Sequence, residues 1–405
     1  MNKKKILNDP VYGFISIKYD LVFDLMEHPY FQRLRRIQQL GLSSYVYPGA
    51  VHTRFHHALG AMHLMTQAIE VLKIKGVQIT TDEAEAVSIA ILLHDIGHGP
   101  FSHTLENTIL KDVHHETVST LFMEALNAEF DGRLTLAIDI FENRYEKKFL
   151  HQLVSSQLDM DRMDYLTRDS FYTGVHEGVI GYDRLIKMLN VRDDKIVVEE
   201  KGIYSVEKFI ISRRLMYWQV YLHKTVLCSE LMLVKILERA RFICEEGQDL
   251  FLTPALRFFM ANDWTANDFK ENPELLQNYA LLDDSDIMVS MKNWQTHDDF
   301  LLANLSKRIV ERRLFKTELQ KEAFTFDYVN TLRKKVKKKF KLNEEQIDYY
   351  LISGSTSNRA YSHTEDSINI LFKDETVEDI VTASDQLNIG TLSAPVVKYY
   401  VCYPK

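Results

Sequence analysis

Glycine and proline are scarce in this chain, with 15 Gly and 8 Pro in 405 residues, about half of the combined share they usually hold. That deficit excludes collagen-like, loop-dominated and disordered readings and favours helix. Cysteine is scarcer still. Cys228, Cys244 and Cys402 are the three present; odd in number, widely spaced and without a CxxC pair, they form neither a disulfide framework nor a thiolate zinc site. No run of about 18 apolar residues occurs, and the N-terminus leads into no apolar signal region, so no membrane association is expected. Positive charge is not in excess either: 49 Lys and Arg stand against 57 Asp and Glu, a formal net charge of −8. Non-specific nucleic-acid binding therefore gains nothing from bulk electrostatics. A small anionic substrate stays open, because a cleft can be locally positive. These absences describe a reduced, soluble, cytoplasmic protein.

What is present is ordinary core material, 46% apolar residues, in a length that suggests two or three structural units. Ala58, Leu59, Met62, Met65, Ile69 and Leu72 fall at three- and four-residue steps, one stripe of a helix. Ala84 to Leu93 reads as a second, buried helix. Further helices are expected from Leu150 to Arg168 and from Val206 to Arg241, with a short β element from Lys195 to Gly202 between them. After Gln320 the composition changes. Arg333 to Lys341 is a basic run, Asn343 to Tyr350 reads as helix, and Ile368 to Phe372 and Val396 to Val401 have strand character. The basic run reads most simply as a solvated helix face, with nucleic-acid or phosphate binding as the alternative. The expected units are 1–240, a helical extension 241–320, and a small α+β region 321–405.

The segment with the most chemistry is Leu92-Leu-His94-Asp95-Ile-Gly-His98-Gly-Pro-Phe-Ser-His103. His94 and Asp95 end an apolar helix, where the pattern calls for core. Buried His and Asp need partners, and a metal ion satisfies both at once. A bare His-Asp pair is weak evidence: His297-Asp298 is a second one and carries none of the flanking features. Upstream, Arg54-Phe-His-His57-Ala-Leu-Gly60 places another His at the start of an amphipathic helix. Downstream, Asp161, Tyr165 and Asp169 step by four and share a helix face, spanning roughly 12 Å at the helical rise.

The order His, His-Asp, Asp resembles the HD phosphohydrolase superfamily. Longer stretches (Asn8-Asp-Pro-Val-Tyr-Gly13, Phe31-Gln-Arg-Leu-Arg35, Gln39-Leu-Gly41, Tyr47-Pro-Gly-Ala50 and those above) are similar to its SAM/HD-type deoxynucleoside triphosphate triphosphohydrolases. The similarity runs from about Ile6 to Arg241 and begins almost at Met1, so the SAM domain is expected to be absent. The implied fold is mainly α: an HD helical core, additional helices and the small α+β C-terminal region.

The resemblance also implies roles. His57, His94, Asp95 and Asp161 would ligate one divalent metal; Mn, Fe, Mg, Ni and Zn all remain open, and imidazole with carboxylate suits transition metals. His115 matches the general acid and Glu106 its orienting carboxylate, where the branch has Asp. His98, one turn after His94 if that helix continues, would reach phosphate oxygens or a proton in flight, and His103 would be a second phosphate contact or equally a helix N-cap neighbour. Arg54, Arg162, Tyr165 and Arg213 match groups that grip a polyphosphate; Arg162 replaces a Lys and adds bidentate geometry. Gln39 and Asp169 match groups on the sugar 3′-hydroxyl, and Tyr221 an aromatic that crowds C2′ and admits deoxyribose. Taken alone, His114-His115 is as readily a surface pair and Tyr221 a core aromatic. Lys5, Asn8, Asp9, Glu27, Gln32 and Arg35 match an activator site for guanine nucleotide, with Glu27 replacing an Asp; the same residues could simply pack an amphipathic helix.

The expected function is metal-dependent hydrolysis of dNTPs to deoxynucleoside and triphosphate in a homo-oligomer, dimer or tetramer. The alternatives are an HD phosphohydrolase acting on a nucleoside monophosphate or cyclic nucleotide, and a nucleotide sensor without turnover. A sensor has no need of a general acid.

Overall fold

The computed structural model describes residues 5–101, 104, 106–110, 113–362, 367–385 and 394–405, without the side chains of Glu106 and Asn107. The first elements are a hairpin of strands β1 (Ile6–Asp9) and β2 (Gly13–Ser16). Beyond it the chain is mostly helix, in agreement with the mainly α expectation. Helix α1 (Arg54–Ile74) starts where the Thr53 N–H donates to the Nδ1 of His56, and its stripe of Ala58, Met62, Met65, Ile69 and Leu72 is buried. Helix α2 (Thr81–Leu93) is launched by a reciprocal box: Glu83 N–H donates to Thr80 Oγ1 and Thr80 N–H to the Glu83 carboxylate. Such boxes satisfy amides that have no partner within the helix. Its last residues, from Val87 to Leu93, are all buried. Further along the chain are α3 (His115–Glu129), α4 (Lys148–Val154) and α5 (Met160–Thr173). Helices α2 and α5 both pack on α1, which brings the three polar motifs together.

Two expected helices are interrupted. The helix read over Leu150 to Arg168 is α4 and α5, separated because the Asp159 carboxylate accepts from both the Ser156 and Arg162 N–H groups and so caps a fresh start. The helix read over Val206 to Arg241 is α6 (Ile203–Met216), one π-helical turn (Tyr217–Tyr221) and α7 (Lys224–Glu245). At the turn, Leu222 N–H reaches back to the Tyr217 carbonyl, and His223 Nδ1 then accepts from Thr225 N–H to begin α7. Apolar spacing alone does not register such an inserted residue, and π turns cluster at functional sites.

The C-terminal strands obey a different logic. Strand β4 (Lys195–Glu199) pairs antiparallel with β3 (Leu189–Arg192) and parallel with β7 (Asn369–Leu371), which pairs with β8 (Val377–Asp379). A second sheet has β9 (Val396–Tyr403) between β5 (Lys316–Gln320) and β6 (Ile352–Asn358). Strand pairing thus crosses the composition boundary at 320/321 and joins residues past 368 to the core. Residues 343–350 form only a 3-10 turn, Gln346–Tyr349, because Asn343 and Gln346 satisfy each other's backbone N–H. The basic run lies on α8 (Phe326–Phe340), with Leu332 and Val336 buried and the lysines outward. No described helix is long and apolar enough to cross a membrane.

Candidate active site

Three elements place the candidate metal ligands. His57 lies in the first turn of α1, His94 caps the C-terminus of α2, and Asp161 lies in the first turn of α5. The Nε2 atoms of His57 and His94 face each other at 3.3 Å, and Asp161 Oδ1 lies 3.1 Å from the first and 3.4 Å from the second. Two imidazole lone pairs and a carboxylate directed at one point can hold a metal ion, and these three form such a cluster among the described residues. Asp95 adjoins them, its Oδ1 3.3 Å from His94 Nε2, while its Oδ2 accepts from Arg54 Nη1.

The electrostatics suit a cation. Burial opposes protonation of His57, but hydrogen bonds to Asp161 and Asp164 outweigh it and raise the imidazole to about 10. His94 is raised against burial by the charges of Asp95 and Asp161. Asp161 is held far below the carboxylate range, against burial, by its hydrogen bonds to His57 and His94. The cluster thus concentrates negative charge around two imidazoles.

The turn after His94 is scaffolded from three sides. The fully buried Arg33 donates to the carbonyls of Ile96 and His98 at 2.8 Å each, and Tyr279 Oη donates to the Gly97 carbonyl. Ser119 Oγ of α3 donates to the His94 carbonyl and accepts from Gly97 N–H. A Cβ on Gly97 would lie 2.2 Å from the His115 carbonyl oxygen and 2.3 Å from Ser119 N, so glycine is what lets α3 approach. That approach stacks His115 on His98, with centroids 3.8 Å apart. His98 is not one helical turn past His94 on a continued helix, because α2 ends at Leu93. It is buried, 3.3 Å from Asp95 Oδ1, and held neutral by burial and the nearby Arg54 charge. His94, Asp95, His115 and Asp161 line one open cleft of about 540 Å³, which continues past His151 and Lys270. His103 and the Glu106 side chain lie outside the described residues.

A second group of polar residues extends along α5. Arg162 pairs with Asp159, and the Nε atoms of Arg162 and Arg213 are buried without a hydrogen-bond partner among the described residues. Burial and the neighbouring Tyr217 keep the Tyr165 hydroxyl protonated, against the charges of Arg213 and Arg162. One turn further, Asp169 Oδ2 accepts from Tyr221 Oη at 2.8 Å, and the Tyr165 and Tyr221 rings meet edge to face. Gln39 Oε1 is a further buried acceptor without a described donor. Unpaired buried polar atoms cost free energy in a closed protein, so those of Arg162, Arg213 and Gln39 fit a polar ligand.

Most of the N-terminal candidates lie at the surface, and one turns inward. Lys5 and Asn8 are exposed on the hairpin, and Glu27 is exposed at a helix end. Arg35 donates to Gln32 Oε1 at 2.8 Å and lies over the Phe55 ring, while Gln32 Nε2 donates to the Met26 carbonyl. Asp9 instead points inward to Arg168.

Four buried residues are not singled out by sequence pattern. His52 Nε2 lies 2.7 Å from Asp169 Oδ1, with its ring stacked on Tyr172. Asp164 lies 2.7 Å from His57 Nδ1 and is bridged to Arg168. Asp284 accepts from the N–H groups of Gln38 and Phe101. The four-residue step from Asp164 to Arg168 was a visible signal, since an acid and a base at that spacing can pair across one helical turn. His52 and Asp284 carried none.

Comparison with known proteins is consistent with this geometry. The chain matches the HD domain over residues 54–169 and the HD associated region over residues 180–248. It is 34% identical to an uncharacterized protein, YwfO, of Bacillus subtilis, over 78% of this chain and 72% of that one. The deoxynucleoside triphosphate triphosphohydrolase SAMHD1 homolog of Dictyostelium discoideum is 32% identical over 56% of this chain, which spans about half of that relative's length (48%). A solved phosphohydrolase from Bacteroides thetaiotaomicron superposes with TM-score 0.96 at 52% identity, over 99% of this chain and all of that one. A hypothetical protein from Aquifex aeolicus superposes at 0.73 with 26% identity, over 99% and 96% of the two chains.

Proposed function

The chain belongs to the HD-domain phosphohydrolase family, and we propose that it hydrolyses deoxynucleoside triphosphates to deoxynucleoside and inorganic triphosphate. The observation that carries this reading is the pairing of the His57–His94–Asp161 cluster with unpartnered buried groups along and opposite α5, namely Arg162 Nε, Arg213 Nε and Gln39 Oε1. Cationic, tyrosine and sugar-binding groups succeed one another over two helical turns from the cluster, the reach of a nucleotide from phosphate to sugar.

His57, His94, Asp95 and Asp161 would hold one divalent ion, which when bound lowers the charge that a nucleophile meets at the α-phosphate. Arg54, Arg162 and Arg213 hold the polyphosphate and balance its charge, and the neutral Tyr165 hydroxyl donates a hydrogen bond to it. Water attacks the α-phosphorus and gives up a proton to solvent, the bond to O5′ breaks, and His115 delivers a proton to the leaving oxygen. His98, neutral and stacked face to face on that ring, orients it; Glu106 and His103 are expected to serve the acid and the phosphates. Asp169 and Gln39 receive the 3′-hydroxyl, and the Tyr221 ring, held by its hydrogen bond to Asp169, closes the space at C2′. Binding of GTP or dGTP at Lys5, Asn8, Glu27, Gln32 and Arg35, with Asp9 turned inward to Arg168, would favour a larger, faster oligomer, as far as the nucleotide prefers that state.

The deciding experiment incubates the protein with each dNTP, NTP and dNMP and with Mn²⁺, Fe²⁺, Mg²⁺, Ni²⁺ or Zn²⁺, and separates the products. Deoxynucleoside with triphosphate is the expected result. dNMP with pyrophosphate, or dNDP with phosphate, overturns attack at the α-phosphorus with O5′ leaving. Binding without any product would favour a sensor.

A further inference from the structure

Behind His57 runs a line of buried charges that reaches the N-terminal hairpin. Asp164 Oδ2 accepts from His57 Nδ1 at 2.7 Å. Arg168, one turn further along α5, grips the same carboxylate twice, Nε to Oδ2 at 2.9 Å and Nη2 to Oδ1 at 3.0 Å. Its Nη1 continues to Asp9 Oδ2 at 2.8 Å, and the Tyr12 ring lies 5.4 Å from the guanidinium carbon. Asp9 Oδ1 in turn accepts from the N–H groups of Val11 and Tyr12 and so shapes the hairpin turn. The side chains of His57, Asp164 and Arg168 are 0% exposed and that of Asp9 is 5% exposed. Gly60 makes room for the line: a Cβ there would lie 2.0 Å from Asp164 Oδ1 and 2.1 Å from Arg168 Nη2.

We propose that Asp164, Arg168 and Asp9 are positioning residues that fix the tautomer and orientation of the His57 imidazole for metal binding, so that the hairpin turn sets how tightly the metal is held. A carboxylate can only accept, so Asp164 keeps a proton on Nδ1, and the proton that a metal would displace is the one on Nε2, the nitrogen that faces His94 and Asp161. Two carboxylates and one guanidinium leave the line with one net negative charge, which faces the imidazole. Arg168 holds the Asp164 carboxylate in plane by two hydrogen bonds, and Asp9 holds Arg168 from the far side. This inference rests on the reading of His57 as a metal ligand.

The test uses full-length wild type, Asp164→Asn, Asp9→Asn and His94→Ala, each loaded with Mn²⁺. Bound metal is measured by elemental analysis during titration with a chelator, and melting is recorded with and without chelator. An amide at 164 can donate to Nδ1, which moves the ring proton to the metal-facing nitrogen, so Asp164→Asn should lose metal affinity by roughly 10- to 100-fold. Asp9→Asn keeps an acceptor for the turn and lies outside the centre; it should lose affinity in the same direction but less. Both should lower the melting temperature of the loaded protein more than that of the chelated protein. Wild-type metal affinity in Asp164→Asn, or equal falls in both melting temperatures, overturns the proposal and leaves the line a structural clamp. Stoichiometric Mn²⁺ in His94→Ala overturns the ligand reading itself, and this inference with it.

Discussion

Around His57, Asp9, Arg168 and Asp164 alternate in sign, are almost wholly inaccessible to water and hydrogen-bond to one another at 2.8–3.0 Å. On α8, Arg333 reaches Asp348 at 2.7 Å and Glu344 at 3.3 Å, and Lys337 reaches Glu344, but the two acids are 64% and 69% exposed. The residue types are the same and the physics is not. In water the exposed pairs trade one set of solvated partners for another and gain little. In the core each charge has lost its water, so each depends on its neighbour, and removing one strands the rest. The buried set therefore imposes geometry on an imidazole, whereas the exposed set keeps a helix face soluble.

The sharpest break in that contrast is at the centre. Asp161→Ala is expected to abolish both turnover and bound metal while far-UV circular dichroism stays close to wild type; elemental analysis and product assay check it together. Next, Arg168→Met leaves Asp9 and Asp164 buried without their counter-charge, and should lower unfolding free energy in denaturant titration by about 3–5 kcal/mol. His115 separates chemistry from architecture, since it lies at the cleft and only part of it is buried. His115→Ala should lower kcat by at least about 100-fold and retain metal and stability; near-normal kcat would remove it from the mechanism.

Two carboxyls outside both sets, buried Asp284 and Glu318 of the C-terminal sheet, should respond to pH with opposite sign. Burial pushes the Asp284 carboxyl up to about 6 from its ordinary 3.8, against the hydrogen bonds from Gln38 and Phe101. Its folded form holds the proton more tightly, so its contribution is complete below pH 3.8 and is lost as pH rises through 6. Hydrogen bonds from Lys316 and Tyr403 hold Glu318, in the C-terminal sheet, down to about 2 from 4.5. Its contribution is complete above 4.5 and fades as pH falls toward 2. Denaturant midpoints of Asp284→Asn and Glu318→Gln, each subtracted from wild type across these windows, should slope in opposite directions. The smallest effect is expected on α8, where Glu344→Gln should leave the melting temperature unchanged within error; a clear fall would mean that the surface network is cooperative and that core and surface charges differ less.

Legibility in the sequence depends on range. The His94-Asp95 pair, His57 and Asp161 stand out because metal ligation demands particular residue types, and those types interrupt apolar helices at short, countable steps. The stripe on α1, the buried run of α2 and the shared face of Asp161, Tyr165 and Asp169 are local in the same way. The π turn at Tyr217–Tyr221 and the break at Asp159 were not legible, because a single inserted residue or a capping carboxylate leaves hydrophobic spacing almost untouched.

By itself, then, the sequence determined the helical character of the chain and the residue types that gather at the candidate metal centre, since both depend on spacings within about one helical turn or on short motifs. Only the tertiary structure decided that Asp9, 159 positions before Arg168, turns inward to it, that His52 meets Asp169 and that His98 stacks on His115. Those contacts are between residues distant in the chain, and they arise because a buried charge or imidazole must find its partner wherever packing brings one within hydrogen-bond reach.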